Sequence, residues 1–272
     1  MKKPTLSKLF MYLFLVVAGV ISAYPFLWMV TGATNPSVEV LRGRSFFGTH
    51  LIPNIKALFA FSTQPVALSF FNSLRNALVG TLLTLFICSM AGYGFQIYRD
   101  KAKDRLMAVL LLSMMVPFAA VMVPLFRLFS QLKLLNTTTA IVLPGLSTAF
   151  LIFFFRQNSA SFPMEIVQAA RVDGVGEFGI YARIFVPVMS PTFAAAAIIS
   201  FMGAWNNYLW PVIVLLKESA RTMPILLVSL TLGYTIDYGM LMLAITITTL
   251  PTLIVFITQQ RRFVEGILGS VK

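Results

Sequence analysis

Side chains that could carry out catalysis are few in this chain, and their spacing builds no active site. Among 272 residues there is one histidine, His50, one cysteine, Cys88, and nine acidic residues. Nucleophilic catalysis and zinc binding both need several such groups together, so a single His and a single Cys support neither. The sequence also lacks the G-x-x-x-x-G-K-[ST] phosphate-binding loop. We therefore expect a chain that is not an enzyme, binds no cofactor or metal and does not itself hydrolyse ATP.

One short segment does combine groups that recognise polar solutes. Trp205, Asn206, Asn207 and Tyr208 follow one another in the sequence. Because amides hydrogen-bond hydroxyl groups and aromatic faces stack on sugar rings, these residues could line a path for a hydroxyl-rich solute. The interpretation that the residues favour somewhat more is an aromatic belt at a membrane surface, with the asparagines bonding neighbouring helices. The sequence leaves both interpretations open.

The composition is typical of a membrane protein. A soluble globular protein carries about 25% charged residues, whereas this chain is 58% hydrophobic and 11% charged, with a mean hydropathy of +0.86. Its charges are mostly basic, which gives a formal net charge of +12. Because the basic residues are dispersed and form no single patch, we expect no nucleic acid as a partner.

Six stretches are long and apolar enough to cross a bilayer, since about 20 apolar residues span roughly 30 Å of hydrocarbon. They are Leu9–Val30, Phe71–Phe95, Leu106–Phe129, Thr138–Phe155, Thr192–Leu216 and Gly239–Thr258. We therefore predict an all-α membrane protein with six transmembrane helices in a single domain over residues 1–272. A cleaved signal peptide is the alternative for the first stretch, but this apolar run is longer than the roughly 7–15 residues of a signal sequence.

Basic residues in the loops predict the orientation. With a cytoplasmic N-terminus, thirteen basic residues fall in cytoplasmic segments and six in external ones. This bias predicts that both termini are cytoplasmic. Within the six stretches the only charged side chains near the membrane are at their edges, Arg75 and Arg127. Ion-coupled transporters normally keep an ionisable group deep in the bundle, so a standalone secondary transporter or channel is the less favoured alternative.

The longest cytoplasmic loop, residues 156–190, has the pattern of two short helices. Pro163 suits a helix start, and Glu165 would lie near the positive end of the helix dipole. Asp173 and Gly174 should end this helix, because glycine accepts the left-handed conformation of a C-terminus. A second helix is expected from Glu177 to about Phe185, stopped by Pro187. The loop would then present a small apolar patch for docking, although an ordinary amphipathic helix on the membrane face would fit the residues too.

The same loop resembles the EAA loop of ABC importer permeases. The matching residues are Gln168, Ala169 and Ala170, then Gly174, Ile184 and Pro187. The stretch PMEIVQAARVDGVGEFGIYARIFVPVMSP is similar to the version in the maltose-type carbohydrate uptake family, and four further blocks extend the resemblance over nearly the whole chain. They are FFNSLRNALVGTLLTL, MMVPFAAVMVPLFRLFSQLKLLNTTTAIVLP and FMGAWNNYLWPVIVL, followed by the terminal QQRRFVEGILGSVK. The sequence departs from the family pattern at Gln168, where Glu is usual, and at Val186, where Leu is usual.

The resemblance implies the second, shorter permease of a bacterial sugar importer with a type I, MetI-like fold in the inner membrane. A second homologous permease would complete the pore, two ATP-binding subunits carrying ATP and Mg would lie on the cytoplasmic side, and an extracytoplasmic sugar-binding protein would deliver the solute. The residues implied in coupling to the ATPase are Pro163, Glu165, Gln168, Ala169, Ala170, Arg171, Asp173, Gly174, Ile184 and Pro187. A related permease for a glycerol-phosphate-type solute is the alternative within this class.

Two outer regions carry further expectations from the resemblance. The external loop from Lys217 to Tyr238 is similar to the segment that reaches the binding protein in relatives, and Glu218, Arg221 and Asp237 would suit a polar contact there. A plain solvated loop fits these residues equally well. The tail from residue 261 onward matches the end of the family pattern and would be either an ATPase contact or an inner-leaflet anchor.

Overall fold

A computed structural model describes residues 6–61 and 65–268, with side chains described for 7–61 and 65–260. Within these residues every regular element is a helix, which confirms the all-α prediction. The α-helices in chain order are α1 (Leu6–Gly32), α2 (Ser37–Leu41), α3 (Leu51–Phe59), α4 (Val66–Ile97), α5 (Lys101–Ser113), α6 (Phe118–Gln131), α7 (Thr138–Val142), α8 (Ala149–Asn158), α9 (Met164–Val172), α10 (Glu177–Ile180), α11 (Val186–Val188), α12 (Ser190–Trp205), α13 (Leu209–Val214), α14 (Met223–Ser229) and α15 (Tyr238–Leu268).

Three helices, α1, α4 and α15, are individually long and apolar enough to cross a membrane. They contain the first, second and sixth predicted stretches. Three pairs meet the same criterion only when taken together, and each pair is bent: α5 with α6 by 94°, Thr138–Gly145 with Ala149–Ser161 by 50°, and Glu177–Val188 with α12 by 82°. By length and composition the described residues thus hold three to six spans, and the number six stays a prediction.

Prolines explain the breaks in the third and fourth stretches. Between α5 and α6 the backbone becomes extended at Pro117, and a proline disfavours helical backbone in the residue before it. Pro144 lies in a short 3₁₀ turn after α7. The next helix, α8, begins afresh where the Thr148 hydroxyl accepts a hydrogen bond from the Leu151 N–H at 3.3 Å.

The fifth predicted stretch, Thr192–Leu216, is not one continuous helix. Its first helix, α12, ends at Trp205, and α13 begins at Leu209. Pro211 has no N–H, and its ring would clash with the carbonyl of Asn207 if helical geometry continued through this point. The break therefore places the two consecutive asparagines in a connection between helices and not in a helix interior.

The second helix of the 156–190 loop is longer than expected, because Pro187 does not stop it. After α10 the chain forms a π-helical segment, Tyr181–Phe185, and continues into α11. A proline inside an α-helix clashes with the carbonyl four residues earlier, here that of Arg183. The wider π turn changes which carbonyls are bonded and so accommodates the ring. The sharp bend comes only afterwards, before α12.

The chain divides into two compact units, of which one lies within Met1–Ala67 and Leu226–Leu250. In this unit buried amides bind carbonyl groups in the last turn of α1 and just after it. Asn54 Nδ2 donates to Ala33 O at 2.9 Å and to Asn35 O at 3.0 Å, while Asn35 Nδ2 donates to Thr31 O at 2.9 Å. Because the final carbonyls of a helix have no partner within it, these asparagines stabilise the end of α1.

The other unit lies within Leu68–Ile225 and Pro251–Lys272 and contains the 156–190 loop. Helices α4, α8 and α12 pack there around Cys88, Phe155 and Ala196, which are fully buried. The backbones of α4 and α8 approach closely at Gly92, where an added Cβ would lie 2.5 Å from Phe155 Cβ. This contact fixes α8, whose end leads directly into the 156–190 loop.

Candidate functional site

The first helix of the 156–190 loop ends as the sequence predicts. Helix α9 follows Pro163, whose backbone is extended, and Gly174 adopts a left-handed φ of +77°. Its N–H donates to Arg171 O at 3.1 Å, and the N–H of Val175 donates to Ala170 O at 2.9 Å. These two bonds form a Schellman motif, which turns the chain sharply at the end of the helix. The turn positions α10 beside α9.

Helix α9 buries one side and exposes the other. Val167 and Ala170 are buried among Phe162, Ile180 and Phe185. Four residues spaced by three, one and three positions share the opposite, exposed face, and we call them the exposed face of α9: Glu165, Gln168, Ala169 and Val172. The alanine pair that the sequence suggested as one patch is therefore divided, because Ala170 packs inward and Ala169 faces outward.

Apolar side chains stand out from this surface, and sequence reasoning overlooked them. Val172 is 88% exposed, Phe178 63% and Ile166 40%. Their signal was present in the sequence, since each is a large apolar residue in an otherwise polar, glycine-containing loop. Large apolar side chains exposed on neighbouring short helices are typical of an interaction surface. Ile184 is half-buried against the core of the loop, whereas Pro187 is exposed.

A polar contact braces the two helices of the loop. Arg171 Nε donates to Glu177 Oε1 at 2.7 Å, and the Arg171 guanidinium lies 5.5 Å from the centre of the Tyr98 ring at the end of α4. The hydrogen bond from Arg171, and then that from Tyr98, hold the pKa of Glu177 below its usual value. Because the pKa is lowered in the fold, this contribution to stability is complete at neutral pH and is lost as the pH falls through that lowered pKa.

Replacing Glu177 by glutamine is expected to loosen the turn around Gly174 without unfolding the loop. The ion pair is exposed to solvent, and such pairs contribute little to global stability. Local opening should nevertheless increase, which hydrogen exchange of the amides at residues 173–177 would measure as several-fold faster exchange. Glu165→Gln is the matched control, because Glu165 makes no ion pair among the described side chains. Equal exchange rates in the two variants would contradict this role.

Further contacts tie the loop to the neighbouring helices. The buried Ser89 hydroxyl on α4 and the Tyr181 hydroxyl on the π-helical segment lie 2.7 Å apart. At the beginning of the loop Arg156 forms an ion pair with Asp104 in the first turn of α5. The hydrogen bond from Arg156 lowers the pKa of Asp104. Movement of the loop would therefore be transmitted to α4 and α5.

The four residues from Trp205 to Tyr208 do not line one common surface. Trp205 is 1% exposed and packs face to face with Phe201, with ring centroids 5.9 Å apart. Asn206 is exposed, and its Nδ2 donates back to Met202 O at 3.0 Å. Tyr208 is 36% exposed. Of the four predicted residues only Asn207 lines the cavity described next.

A cavity of about 320 Å³ lies between α4, the segment from α7 to α8, and α12. Its wall is made of small, polar and apolar residues: Asn76, Gly80, Thr84, Ile141, Val142, Gly145, Thr148, Phe150, Leu151, Ile199, Ser200, Gly203, Ala204 and Asn207. None of these residues is charged at neutral pH. Ligand pockets are typically about 300–1,000 Å³ in volume, so this cavity suits one small, neutral molecule.

Much of this wall comes from residues that recur at helical spacing on α4 and on α12, and this spacing can be seen in the sequence. Asn76, Gly80 and Thr84 recur every four residues on α4. On α12 Ser200, Gly203 and Ala204 have the spacing of one helix face, and Asn207 follows them in the connection after the helix. Among the residues that the sequence places near Trp205, Gly203, Ala204 and Asn207 do line the cavity, whereas Ser200 and the residues of α4 were overlooked because adjacent residues, and not helical periodicity, were compared.

The three residues expected at an external surface differ in their environment. Glu218 is exposed and Arg221 half-buried, in a segment held by Asn72, whose Nδ2 donates to the carbonyls of Ser219 and Arg221 at 2.9 and 3.0 Å. In the other unit Asp237 Oδ1 accepts hydrogen bonds from Ser37 Oγ at 2.7 Å and from the Met240 N–H at 3.1 Å. Asp237 thus caps α15. The side chains of the predicted C-terminal contact, residues 261–272, lie outside those described.

Comparisons with known proteins agree over most of the chain. Residues 85–268 match the family described as "Binding-protein-dependent transport system inner membrane component". The chain is 50% identical over 261 residues to the lactose transport system permease protein of Rhizobium radiobacter, covering 96% of this chain and 95% of that protein. It is 37% identical over 268 residues to the arabinooligosaccharides transport system permease protein of Bacillus subtilis, covering 96% and 94%. The sn-glycerol-3-phosphate transport system permease protein of Yersinia pestis is 26% identical over 272 residues, with 97% of each chain covered.

The fold has a counterpart among solved structures. A chain in the crystal structure of a bacterial ABC transporter involved in the import of the acidic polysaccharide alginate superposes with a TM-score of 0.83. The match covers 97% of this chain and 100% of that one, at 18% sequence identity. The two chains therefore share a fold.

The apolar helices, the loop with its exposed apolar side chains and the uncharged cavity are consistent with a multi-pass membrane transport subunit. With the family match and the curated relatives, the chain belongs to the family of binding-protein-dependent transport system inner membrane components. The resemblance to importer permeases that the sequence suggested is confirmed. Membership in this family favours a subunit of an importer over the standalone transporter or channel.

Proposed function

We propose that this chain is one of the two permease subunits of an ATP-driven carbohydrate importer and forms, with its partner permease, the path for a di- or oligosaccharide. The observation that carries this proposal is the cavity between α4, α8 and α12, which is lined by amides, hydroxyls and glycines without any charge. The lactose and arabinooligosaccharide permeases among its relatives support the same solute class.

A glycerol-phosphate-type solute is the second candidate, since one relative carries that name. A phosphate group is bound by basic side chains or by several backbone N–H groups aimed at it. The cavity of this chain offers no lysine or arginine. The uncharged wall therefore favours a neutral sugar over a phosphorylated solute.

Coupling to ATP hydrolysis would occur through the 156–190 loop on the cytoplasmic side. The exposed face of α9 would enter a cleft on an ATP-binding subunit, with Ala169 allowing close approach and Val172 supplying apolar contact. ATP and Mg would be bound by those partner subunits, and closure of the ATPase pair would move the loop. Because Arg156 and Tyr181 tie the loop to α5 and α4, this movement would reach the cavity wall.

Contact with an extracytoplasmic sugar-binding protein would involve the opposite side of the membrane. Glu218 and Arg221 are accessible in part and held in place by Asn72, which suits a transient polar contact. Asp237 is better explained as the cap of α15, because both of its hydrogen bonds are internal. The termini would be cytoplasmic, as the distribution of basic residues predicts.

Reconstitution tests the proposed function directly. Proteoliposomes that contain this chain, its partner permease and the ATP-binding subunits should accumulate radiolabelled lactose or arabinotriose when the binding protein and ATP are supplied. Omission of ATP or of the binding protein should abolish accumulation, because this chain has no energy source of its own. Uptake by the purified chain alone, driven by an ion gradient, would contradict the proposal.

A further inference from the structure

The cavity contains a buried acceptor without a partner. Asn76 on α4 is 4% exposed, and its Oδ1 has no hydrogen-bond partner among the described residues. A buried polar atom in this state is unfavourable, so such atoms are normally paired with protein, water or a ligand. Asn76 is also one of the residues that line the cavity, and because the terminal torsion of asparagine is soft, rotation about it allows the amide to present its oxygen to a bound molecule. Asn76 Oδ1 can therefore accept a hydrogen bond from a molecule bound in the cavity.

The surroundings of Asn76 restrict the donor to a neutral group. The wall contains no charged residue, so an ammonium or guanidinium group would lose its hydration without compensation. Thr84 already donates its hydroxyl to Gly145 O at 3.1 Å, and Thr148 Oγ1 accepts from the Leu151 N–H. Asn207 and Ser200 add further groups that hydrogen-bond hydroxyls. The hydrogen-bonding groups of the wall that remain available for a ligand thus suit the hydroxyls of a sugar.

Glycines leave room for a ring between these groups. At Gly203 and Gly145 an added Cβ would meet no heavy atom within 4 Å, and at Gly80 the nearest atom would be Val142 Cγ2 at 3.7 Å. These glycines are therefore not required by packing between helices. Their lack of a side chain leaves open space at the cavity wall, to which Phe150 contributes an aromatic group.

We propose that this cavity is a subsite, formed by this subunit alone, that holds one neutral sugar ring during passage, with Asn76 accepting a hydrogen bond from a ring hydroxyl. This inference rests on the proposed function and adds the site and the recognising residue. Asn207 and Ser200 bind further hydroxyls, and water fills the cavity between passages. The missing charge makes the subsite selective against phosphorylated and ionised sugars.

The test uses the complete complex in proteoliposomes, with radiolabelled lactose as the probe. Gly203→Leu fills the open space of the cavity, and Asn76→Leu removes the acceptor at nearly constant size. Both variants should assemble and retain ATP hydrolysis stimulated by the binding protein, while lactose transported per ATP falls at least about tenfold, which corresponds to 1.4 kcal/mol. Asn76→Ser, which keeps a smaller hydrogen-bonding group, should recover part of the loss. Gly94→Leu is the matched control, because Gly94 also has open space around it but does not line the cavity.

The outcomes separate failure of the subsite from failure of the proposed function. Normal lactose transport in Gly203→Leu and Asn76→Leu would overturn the subsite and leave the importer intact. If the wild-type complex transports no sugar, the proposed function fails. The accessibility of position 203 to a thiol reagent then tests whether the cavity is open to polar molecules. In a Cys88→Ala background, Gly203→Cys should react with a neutral, hydroxyl-bearing methanethiosulfonate at least about tenfold faster than Gly94→Cys, because the proposed subsite admits neutral polar molecules. Equal rates would overturn it.

Discussion

Replacing Gly92 by alanine is expected to destabilise the permease by about 2–3 kcal/mol, because the added methyl group has no space. Its Cβ would lie 2.5 Å from Phe155 Cβ, 2.9 Å from the Arg156 N and 3.0 Å from Ile152 O. Two of these atoms are backbone, and Phe155 is fully buried, so none can move aside. The helices α4 and α8 would have to separate. Because α8 leads into the 156–190 loop, ATPase coupling should weaken together with stability.

Gly94→Ala provides the matched control on the same helix. No heavy atom lies within 4 Å of a Cβ at Gly94, and alanine is favoured over glycine in a helix by about 0.5–1 kcal/mol. Thermal unfolding of the detergent-solubilised complex, followed by size-exclusion chromatography, should therefore give a lower midpoint for Gly92→Ala and an unchanged or higher one for Gly94→Ala. Similar midpoints would show that α4 and α8 do not approach closely at this point.

The sequence predicts the helical fold well because hydrophobic length is a direct signal of it. The long helices α1, α4 and α15 contain the stretches predicted for them. The breaks were harder to foresee, since a proline in an apolar run can be tolerated, can kink a helix or can end it. Pro25 and Pro251 lie within continuous helices, whereas Pro117 and Pro211 accompany breaks. Which outcome occurs depends on whether neighbouring groups replace the lost hydrogen bond.

The candidate site was predictable only where local sequence determines geometry. The Schellman turn at Gly174 follows from the residue types, since glycine alone adopts the left-handed conformation without strain. The separation of Ala169 from Ala170 depends on which side of α9 meets Phe185, which is a matter of tertiary packing. The position of Asn76 in the cavity wall depends likewise on the arrangement of α4 and α12. In a single sequence such long-range contacts are visible only as a weak helical periodicity of small and polar residues.

The two adjacent alanines of the 156–190 loop allow docking to be separated from folding. Ala169→Asp places a carboxylate on the exposed face of α9, where the charge stays hydrated as long as no ATP-binding subunit is docked. If this face enters a cleft on the ATP-binding subunit, the charge loses its hydration on docking. We expect recovery of the ATP-binding subunit in a pull-down to fall at least about tenfold, equivalent to 1.4 kcal/mol, and sugar uptake to be lost. The permease itself should insert and unfold at the same temperature as wild type.

Ala170→Asp should behave differently, because Ala170 is 6% exposed and packed against the apolar core of the loop. An unpaired carboxylate there costs several kcal/mol, so the loop should lose its structure and the thermal midpoint should fall together with ATPase recovery. Ala182→Asp, at an exposed position outside the exposed face of α9, is the control for added charge and should leave both measurements unchanged. Normal ATPase recovery and uptake in Ala169→Asp would show that this face is not the docking surface. A loss in Ala182→Asp equal to that in Ala169→Asp would instead assign the effect to charge on the loop as a whole.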